Sequence, residues 1–209
     1  MDQIERAQIE SALSDIDAIR AQMASSTRFR GHAPELLVAV AALSLLVLGA
    51  QALWSERLAA SDLHHALVWG AVLAISQAVM AVEAVVRTRR LHGVMADPLL
   101  QSALRSHLPF AAAAVILAVG ICRFAPDAVW LVPAIWLWLI ALTACASQAF
   151  LPRRIGRAAI WYALCGTAVL VLAGGGDGLA GWMVGLPLAI GHLLVAWALR
   201  DGMEPANGL

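Results

Sequence analysis

Six apolar segments of membrane-spanning length are the feature that most restricts the fold of this chain. They lie at approximately 34–54, 62–86, 107–124, 127–150, 158–174 and 179–199. A helix of about 20 apolar residues crosses the hydrocarbon core of a bilayer, and a backbone within lipid must satisfy its own hydrogen bonds. The sequence therefore predicts an all-α, polytopic membrane protein with six transmembrane helices, and it makes the lipid bilayer the first partner.

The chain also lacks the polar coat of a soluble domain. Charged residues make up 13% of its 209 residues and hydrophobic residues 61%, whereas a soluble domain carries about 25% charged residues. The formal net charge of zero argues neither for nor against a nucleic-acid partner; we expect none. A polar segment with several acids precedes the first apolar run, so we expect no cleavable signal peptide.

The distribution of arginine predicts the orientation. All fourteen basic residues are Arg; twelve fall in segments on one side of the predicted spans, and Arg57 and Arg123 fall on the other. The positive-inside rule then places both termini in the cytoplasm, in the inner membrane of a bacterium. We expect a cytoplasmic amphipathic helix and linker over 1–33, a six-helix membrane domain over 34–200 and a polar tail over 201–209.

The connections between the spans predict three hairpins. The outer connections, "SERLAAS", "FAPD" and "GGGDGL", are short and pair spans 1–2, 3–4 and 5–6. In the longer inner connection, Asp97 followed by Pro98 favours a short amphipathic turn over 97–104 at the membrane surface. An aromatic belt is expected near the outer ends of the spans. Its residues are Trp54, Trp69, Trp130 and Trp182.

Polar residues inside the spans are candidates for function, because burying a charge in a bilayer is costly. The candidate polar site consists of Glu83, Gln77, Gln148 and His192. Glu83 is either held by Arg87, four residues later, or is a proton or cation site with Gln77 nearby. His192 is either a buried neutral histidine bonded to a neighbouring helix or a protonation switch or ligand contact. We expect the stripe of Gly181, Gly185 and Ala189 to permit close helix contact.

Motifs for enzymatic chemistry are missing. The sequence contains no HExxH, GxSxG or Walker-type string. The "GGGD" at 174–177 matches the GxGD string of intramembrane aspartyl proteases, but no other span supplies the second aspartate. His107 and His192 are expected at different depths, which does not suit bis-histidine haem ligation. We therefore expect no enzyme, no cofactor, and no catalytic or metal-binding residue.

The segment before the first span predicts a cytoplasmic helix over residues 2–28. Its apolar face, which we treat as a candidate partner-contact face, consists of Ile9, Leu13, Ile16 and Met23. Acids lie mainly near its beginning and Arg residues near its end, which complements the helix dipole. Three uses remain open: packing on the loop around 91–104, self-association as a short coiled coil, or docking of a soluble cytoplasmic partner.

The stretch "IESALSDIDAIRAQMASSTRFRG", residues 9–31, resembles the start of a loosely defined group of uncharacterised bacterial integral membrane proteins. These begin with a segment like "AL..I..IR..M..ST.F.G" before several spans. Members of the group are sometimes encoded beside a small winged-helix regulator, so the resemblance implies a signalling or stress context. It transfers no catalytic or binding residue to this chain.

Two functions follow as expectations. The first is a non-enzymatic assembly, regulatory or signalling component that acts through its cytoplasmic N-terminal helix, with a second copy or a soluble protein as partner. The alternative is a small oligomeric transporter or channel with a polar path near Glu83 and His192.

Overall fold

The computed structural model describes residues 33–92, 96–148, 151, 154–174 and 179–201. Its helices are α1 (Pro34–Leu53), α2 (Ser55–Leu58), α3 (Asp62–His92), α4 (Ala96–Phe124), a 3-10 helix (Pro126–Leu131), α5 (Val132–Ser147), α6 (Ile155–Leu172) and α7 (Trp182–Asp201). Six spans are long and apolar enough to cross a membrane: α1, α3, α4, the 3-10 helix with α5, α6 and α7. The predicted polytopic all-α fold is confirmed.

Two predicted features lie outside the described residues. One is the N-terminal helix with its apolar face, Ile9, Leu13, Ile16 and Met23. The other is the "GGGD" turn beyond Gly174.

The second and third spans are longer than the sequence suggested. Helix α3 continues to His92, beyond the predicted end at residue 86. Helix α4 begins at Ala96 and is a single helix, so the separate surface turn expected over 97–104 is wrong. Pro109 lies inside α4, but its missing N–H leaves only one carbonyl unpaired, near the polar beginning of the helix.

The fourth span is divided where the sequence predicted one segment over 127–150. It begins as the 3-10 helix at Pro126 and becomes α-helical at Val132. Pro133, in the first turn of α5, has no N–H to donate. The first turn of an α-helix tolerates this loss, so the change of helix type occurs where the proline fits.

Successive spans run in opposite directions and define two ends of the bundle. The Trp54 end contains Trp54, Asp62 and Asp127, and the Arg90 end contains Arg90 and Arg154. The most extensive contacts join α5 to α6 and α1 to α7. The first span therefore packs mainly on the last, although its predicted hairpin neighbour is α3.

Small residues make these close contacts possible. A Cβ at Gly166 of α6 would lie 2.8 Å from Cδ1 of Trp138 and 3.1 Å from the Ala134 carbonyl oxygen of α5. A Cβ at Gly191 of α7 would overlap the Tyr162 ring of α6. Membrane helices use small residues in this way to approach each other without a hydrophobic driving force.

Helix α4 lies at the edge of the bundle. None of the residues in its apolar window over Ala103–Phe124 is buried. Its exposed apolar side chains include Val115, Ile116 and Val119, which suit contact with lipid tails.

Candidate functional site

The buried face of α3 carries three polar side chains, His65, Ser76 and Thr88, each at most 3% exposed. In the described part of the chain, the buried side-chain nitrogen and oxygen atoms without a hydrogen-bond partner are His65 Nδ1, His65 Nε2, Ser76 Oγ and Thr88 Oγ1. All four belong to α3. Most buried polar atoms in proteins have a partner, so these four atoms are positions where water or a ligand would find unused hydrogen-bonding capacity.

The hydroxyl groups of α3 differ from those of the other helices. Ser106 of α4 donates to the Ala103 carbonyl three residues earlier, and four other helical Ser and Thr residues donate to the carbonyl oxygen four residues earlier. These four are Ser44, Thr143, Ser147 and Thr167, with oxygen–oxygen distances of 3.0, 2.8, 2.7 and 2.9 Å. Ser76 and Thr88 make no such bond. Their hydroxyl hydrogens therefore remain available for a partner outside their own helix.

Helical geometry aligns His65 and Ser76, but not Thr88, with two charged residues of α3. At 100° per residue, five residues of α3 fall within about 40° of one another around the helix axis. They are His65, Trp69, Ser76, Glu83 and Arg87, and we call them the α3 polar stripe. The first three are buried, whereas Glu83 and Arg87 are half-buried. The stripe extends about 33 Å along the helix.

Trp69 interrupts the stripe between His65 and Ser76. Its side chain is fully buried, and its Nε1–H donates to Gln51 Oε1 at 3.0 Å. The Gln51 amide in turn donates to the Leu58 carbonyl at 3.2 Å. A Cβ at Gly185 would lie 2.9 Å from Trp69 Cη2. Helices α1, α3 and α7 therefore meet around this indole.

Two sequence predictions are decided at this point. The membership of Trp69 in an aromatic belt is wrong, because the indole is buried and bonded inside the bundle; by contrast, Trp54 is 57% exposed and Trp182 is 48% exposed. The close contact expected at Gly181 and Gly185 is confirmed. Each of these glycines leaves space for a side chain of another helix, Gln51 for Gly181 and Trp69 for Gly185.

The buried histidine of α7 has protein partners. His192 Nδ1 lies 2.7 Å from the Leu188 carbonyl oxygen and 3.1 Å from the Tyr162 hydroxyl of α6. A carbonyl only accepts, so Nδ1 carries the hydrogen. Beside this pair, Trp161 Nε1–H donates to the Pro187 carbonyl at 3.0 Å. These bonds join α6 to α7. This is the arrangement expected if His192 is a buried neutral histidine bonded to a neighbouring helix.

A second histidine joins α4 to α5. His107 Nε2 lies 3.3 Å from Ser147 Oγ, and Ser147 Oγ also donates to the Thr143 carbonyl at 2.7 Å. His107 Nδ1 donates to the Ala103 carbonyl at 2.8 Å, so Nε2 accepts, and Ser147 shares its single hydroxyl hydrogen between Nε2 and the Thr143 carbonyl. This geometry therefore fits a contact between helices better than a nucleophile with its general base.

The structure does not join the four predicted site residues to one another. No hydrogen bond or ion pair of the described residues connects two of Glu83, Gln77, Gln148 and His192. Gln77 is exposed. Gln148 packs near Gly156: a Cβ at Gly156 would lie 3.3 Å from the Gln148 amide oxygen.

Glu83 and His192 differ in their relation to the α3 polar stripe. Glu83 belongs to it, and among the described residues it forms no ion pair with Arg87. His192 lies seven residues after Gly185, and Ser76 lies seven residues after Trp69, which packs on Gly185. Because α3 and α7 run in the same direction, His192 and Ser76 lie at a similar depth.

Sequence reasoning missed His65, Ser76, Thr88 and Gln51. The spacing of four, seven, seven and four residues along the α3 polar stripe is the signal that would have found His65 and Ser76, but not Thr88 or Gln51. The described residues contain no group of three or more His, Cys, Asp or Glu placed to hold a metal ion.

No family model, curated protein or solved structure matches this chain. The N-terminal resemblance therefore stays a prediction.

Proposed function

We propose that this chain is a small transporter or channel of the bacterial inner membrane, which moves a small charged or protonatable species along the α3 polar stripe. The supporting observation is that the buried, unpartnered side-chain atoms of the described residues all belong to α3. His65 and Ser76 share one side of α3 with Trp69, Glu83 and Arg87, whereas Thr88 lies about 100° around the helix from Arg87.

The orientation in this proposal follows from the arginines. The Arg90 end contains Arg87, Arg89, Arg90, Arg105, Arg154, Arg157 and Arg200 among the described residues. The Trp54 end contains Arg57 and Arg123. By the positive-inside rule, the Arg90 end faces the cytoplasm, and both termini lie there.

The length and polarity of the stripe support a path across the membrane. Its extent of about 33 Å is close to the thickness of the hydrocarbon core, about 30 Å. Ionisable residues inside membrane proteins usually face a water-filled cavity or pair with one another. Glu83 and Arg87 are half-buried, which suits access from the cytoplasm. Trp69 closes the path toward the Trp54 end.

Flux in proteoliposomes tests this proposal. The purified protein would be reconstituted and the fluxes of protons, Na⁺ and K⁺ measured for the wild type, Glu83→Gln and Glu35→Gln. Glu35 is a matched control because it is exposed in the first turn of α1, at the same end of the bundle. We expect Glu83→Gln to lower flux at least about tenfold and Glu35→Gln to leave it within about twofold. If the wild-type protein moves none of these species, the result contradicts the proposal. If the flux through Glu83→Gln equals that of the wild type, Glu83 is not part of the path.

The N-terminal segment supports a second candidate function, a non-enzymatic assembly, regulatory or signalling role. The observation that favours it is the apolar face of Ile9, Leu13, Ile16 and Met23 on a segment rich in charge. Such a face suits a second copy of the chain or a soluble cytoplasmic protein. Deleting residues 2–28 should abolish a crosslinked complex while membrane insertion continues; a complex that survives the deletion argues against this role.

A further inference from the structure

We propose that the species moved along the α3 polar stripe is a proton and that His65 is its binding group at the Trp54 end. This inference rests on the proposed function. It assigns the chemical class of the transported species and a binding residue.

The environment of His65 suits a group that accepts and releases protons. The imidazole is 1% exposed, and neither of its ring nitrogens has a hydrogen-bond partner among the described residues. A neutral imidazole takes a proton on one nitrogen and gives up the proton on the other. His192 lacks this freedom, because its Nδ1–H is held by the Leu188 carbonyl at 2.7 Å.

The spacing of the α3 polar stripe favours a proton over a metal cation. Along the helix axis, about 16 Å separate His65 from Ser76 and about 10 Å separate Ser76 from Glu83. A hard metal cation such as Ca²⁺ takes six or more oxygen ligands, which single side chains at these intervals do not provide. A proton needs only a file of waters, about five across the first interval and three across the second.

Trp69 lies within the first interval and closes it in this conformation. Its indole is held by Gln51 and packs against Gly185. Passage of a proton from His65 toward Ser76 therefore requires this indole to move aside. Each transfer adds a proton to one His65 nitrogen and releases the proton of the other to the water file, which moves one positive charge toward the cytoplasm. A flip of the imidazole ring then returns the free nitrogen to the accepting side for the next transfer.

The charged groups near His65 are few. Asp62, three residues earlier on α3, is half-buried and lies one helical turn from His65. Gln51, contributed by α1, is neutral. The other charged residues described at this end are Glu56, Arg57, Arg123 and Asp127, all exposed. Asp62 is thus the described carboxylate best placed to pass protons from the surface to His65.

Proton flux in proteoliposomes tests the inference. Vesicles with an internal pH-sensitive dye would receive an external acid pulse, with K⁺ and valinomycin compensating the charge. The variants are His65→Gln and, as a matched control, His64→Gln. His64 is adjacent, exposed and bonded to Ser61 at 2.8 Å. We expect proton flux about tenfold lower in His65→Gln and within about twofold of wild type in His64→Gln.

A second pair of variants decides the matter if His65→Gln does not fold. Ser76→Ala removes the unpartnered hydroxyl in the middle of the α3 polar stripe. Its control, Thr167→Ala, removes an exposed hydroxyl whose hydrogen bond stays within α6. We expect Ser76→Ala to lower proton flux several-fold and Thr167→Ala to leave it unchanged. Equal flux in these two variants overturns the proton path.

The outcomes separate the inference from the function on which it rests. Wild-type vesicles that carry Na⁺ or K⁺ but no protons overturn the inference and leave a transport function standing. Proton flux that is the same in His65→Gln and His64→Gln overturns the role of His65. Vesicles that carry none of these species overturn the proposed function itself. Loss of proton flux in His65→Gln alone supports the inference.

Discussion

The contact between α6 and α7 and the buried side of α3 both contain buried polar side chains, but these differ in whether they have partners. Between α6 and α7, His192 bonds to Leu188 and Tyr162, and Trp161 bonds to Pro187. On α3, the side chains of His65, Ser76 and Thr88 have no described partner. The first set fits the hydrogen bonds that hold membrane helices together; the second fits groups that require water.

This difference predicts that substitutions in the two regions have different effects. Changes between α6 and α7 should lower stability and leave transport through the surviving protein unchanged. Changes at His65 and Ser76 should alter transport with little effect on stability, because these side chains bond to no described protein group. Thermal stability and flux, measured on the same variants, test the comparison.

The largest effect is expected from Gly191→Ala. Its new methyl group would overlap the Tyr162 ring, and overpacking of a core costs about 1–3 kcal/mol or more. We expect this variant to unfold at a markedly lower temperature or to fail to assemble. Gly49→Ala is the control, since a Cβ there has no atom within 4 Å. Equal stability of the two variants would mean that α6 and α7 are not packed as described.

A smaller effect, this time on transport, is expected from Gln51→Leu. The substitution removes the bond that holds the Trp69 indole, worth about 1 kcal/mol. If the indole closes the path, this loss raises the open population and the flux about fivefold. Unchanged or reduced flux in vesicles would show that the Gln51–Trp69 bond does not limit transport.

The smallest effect is expected from Tyr162→Phe, which removes the hydroxyl near His192 and keeps the ring. Hydrogen bonds between membrane helices contribute about 1 kcal/mol, so the unfolding temperature should fall by a few degrees. Flux per folded molecule should equal that of the wild type. A large loss of flux at normal stability would mean that the Tyr162–His192 pair takes part in transport and does not only hold the helices together.

The number and approximate positions of the spans could be predicted from sequence because lipid requires long apolar helices. The buried face of α3 could not. Lipid-facing residues such as Leu67, Val79 and Val82 are as apolar as the buried Val72, so hydrophobic periodicity does not identify the inward face of a membrane helix. His192 was identified by its depth, whereas its partner Tyr162 depends on a helix contact that spacing alone does not encode.

Water access to Ser76 tests the central claim most directly. Ser76→Cys and Thr167→Cys would be made in a chain whose native Cys122, Cys145 and Cys165 are replaced by Ala, then treated with a membrane-impermeant methanethiosulfonate. Thiols react as thiolates, which form only in contact with water. We predict modification of Cys at position 76 from the Arg90 end and none at position 167, which is exposed toward lipid. If the reagent modifies position 76 from neither end of the bundle, the result contradicts a hydrated α3 polar stripe.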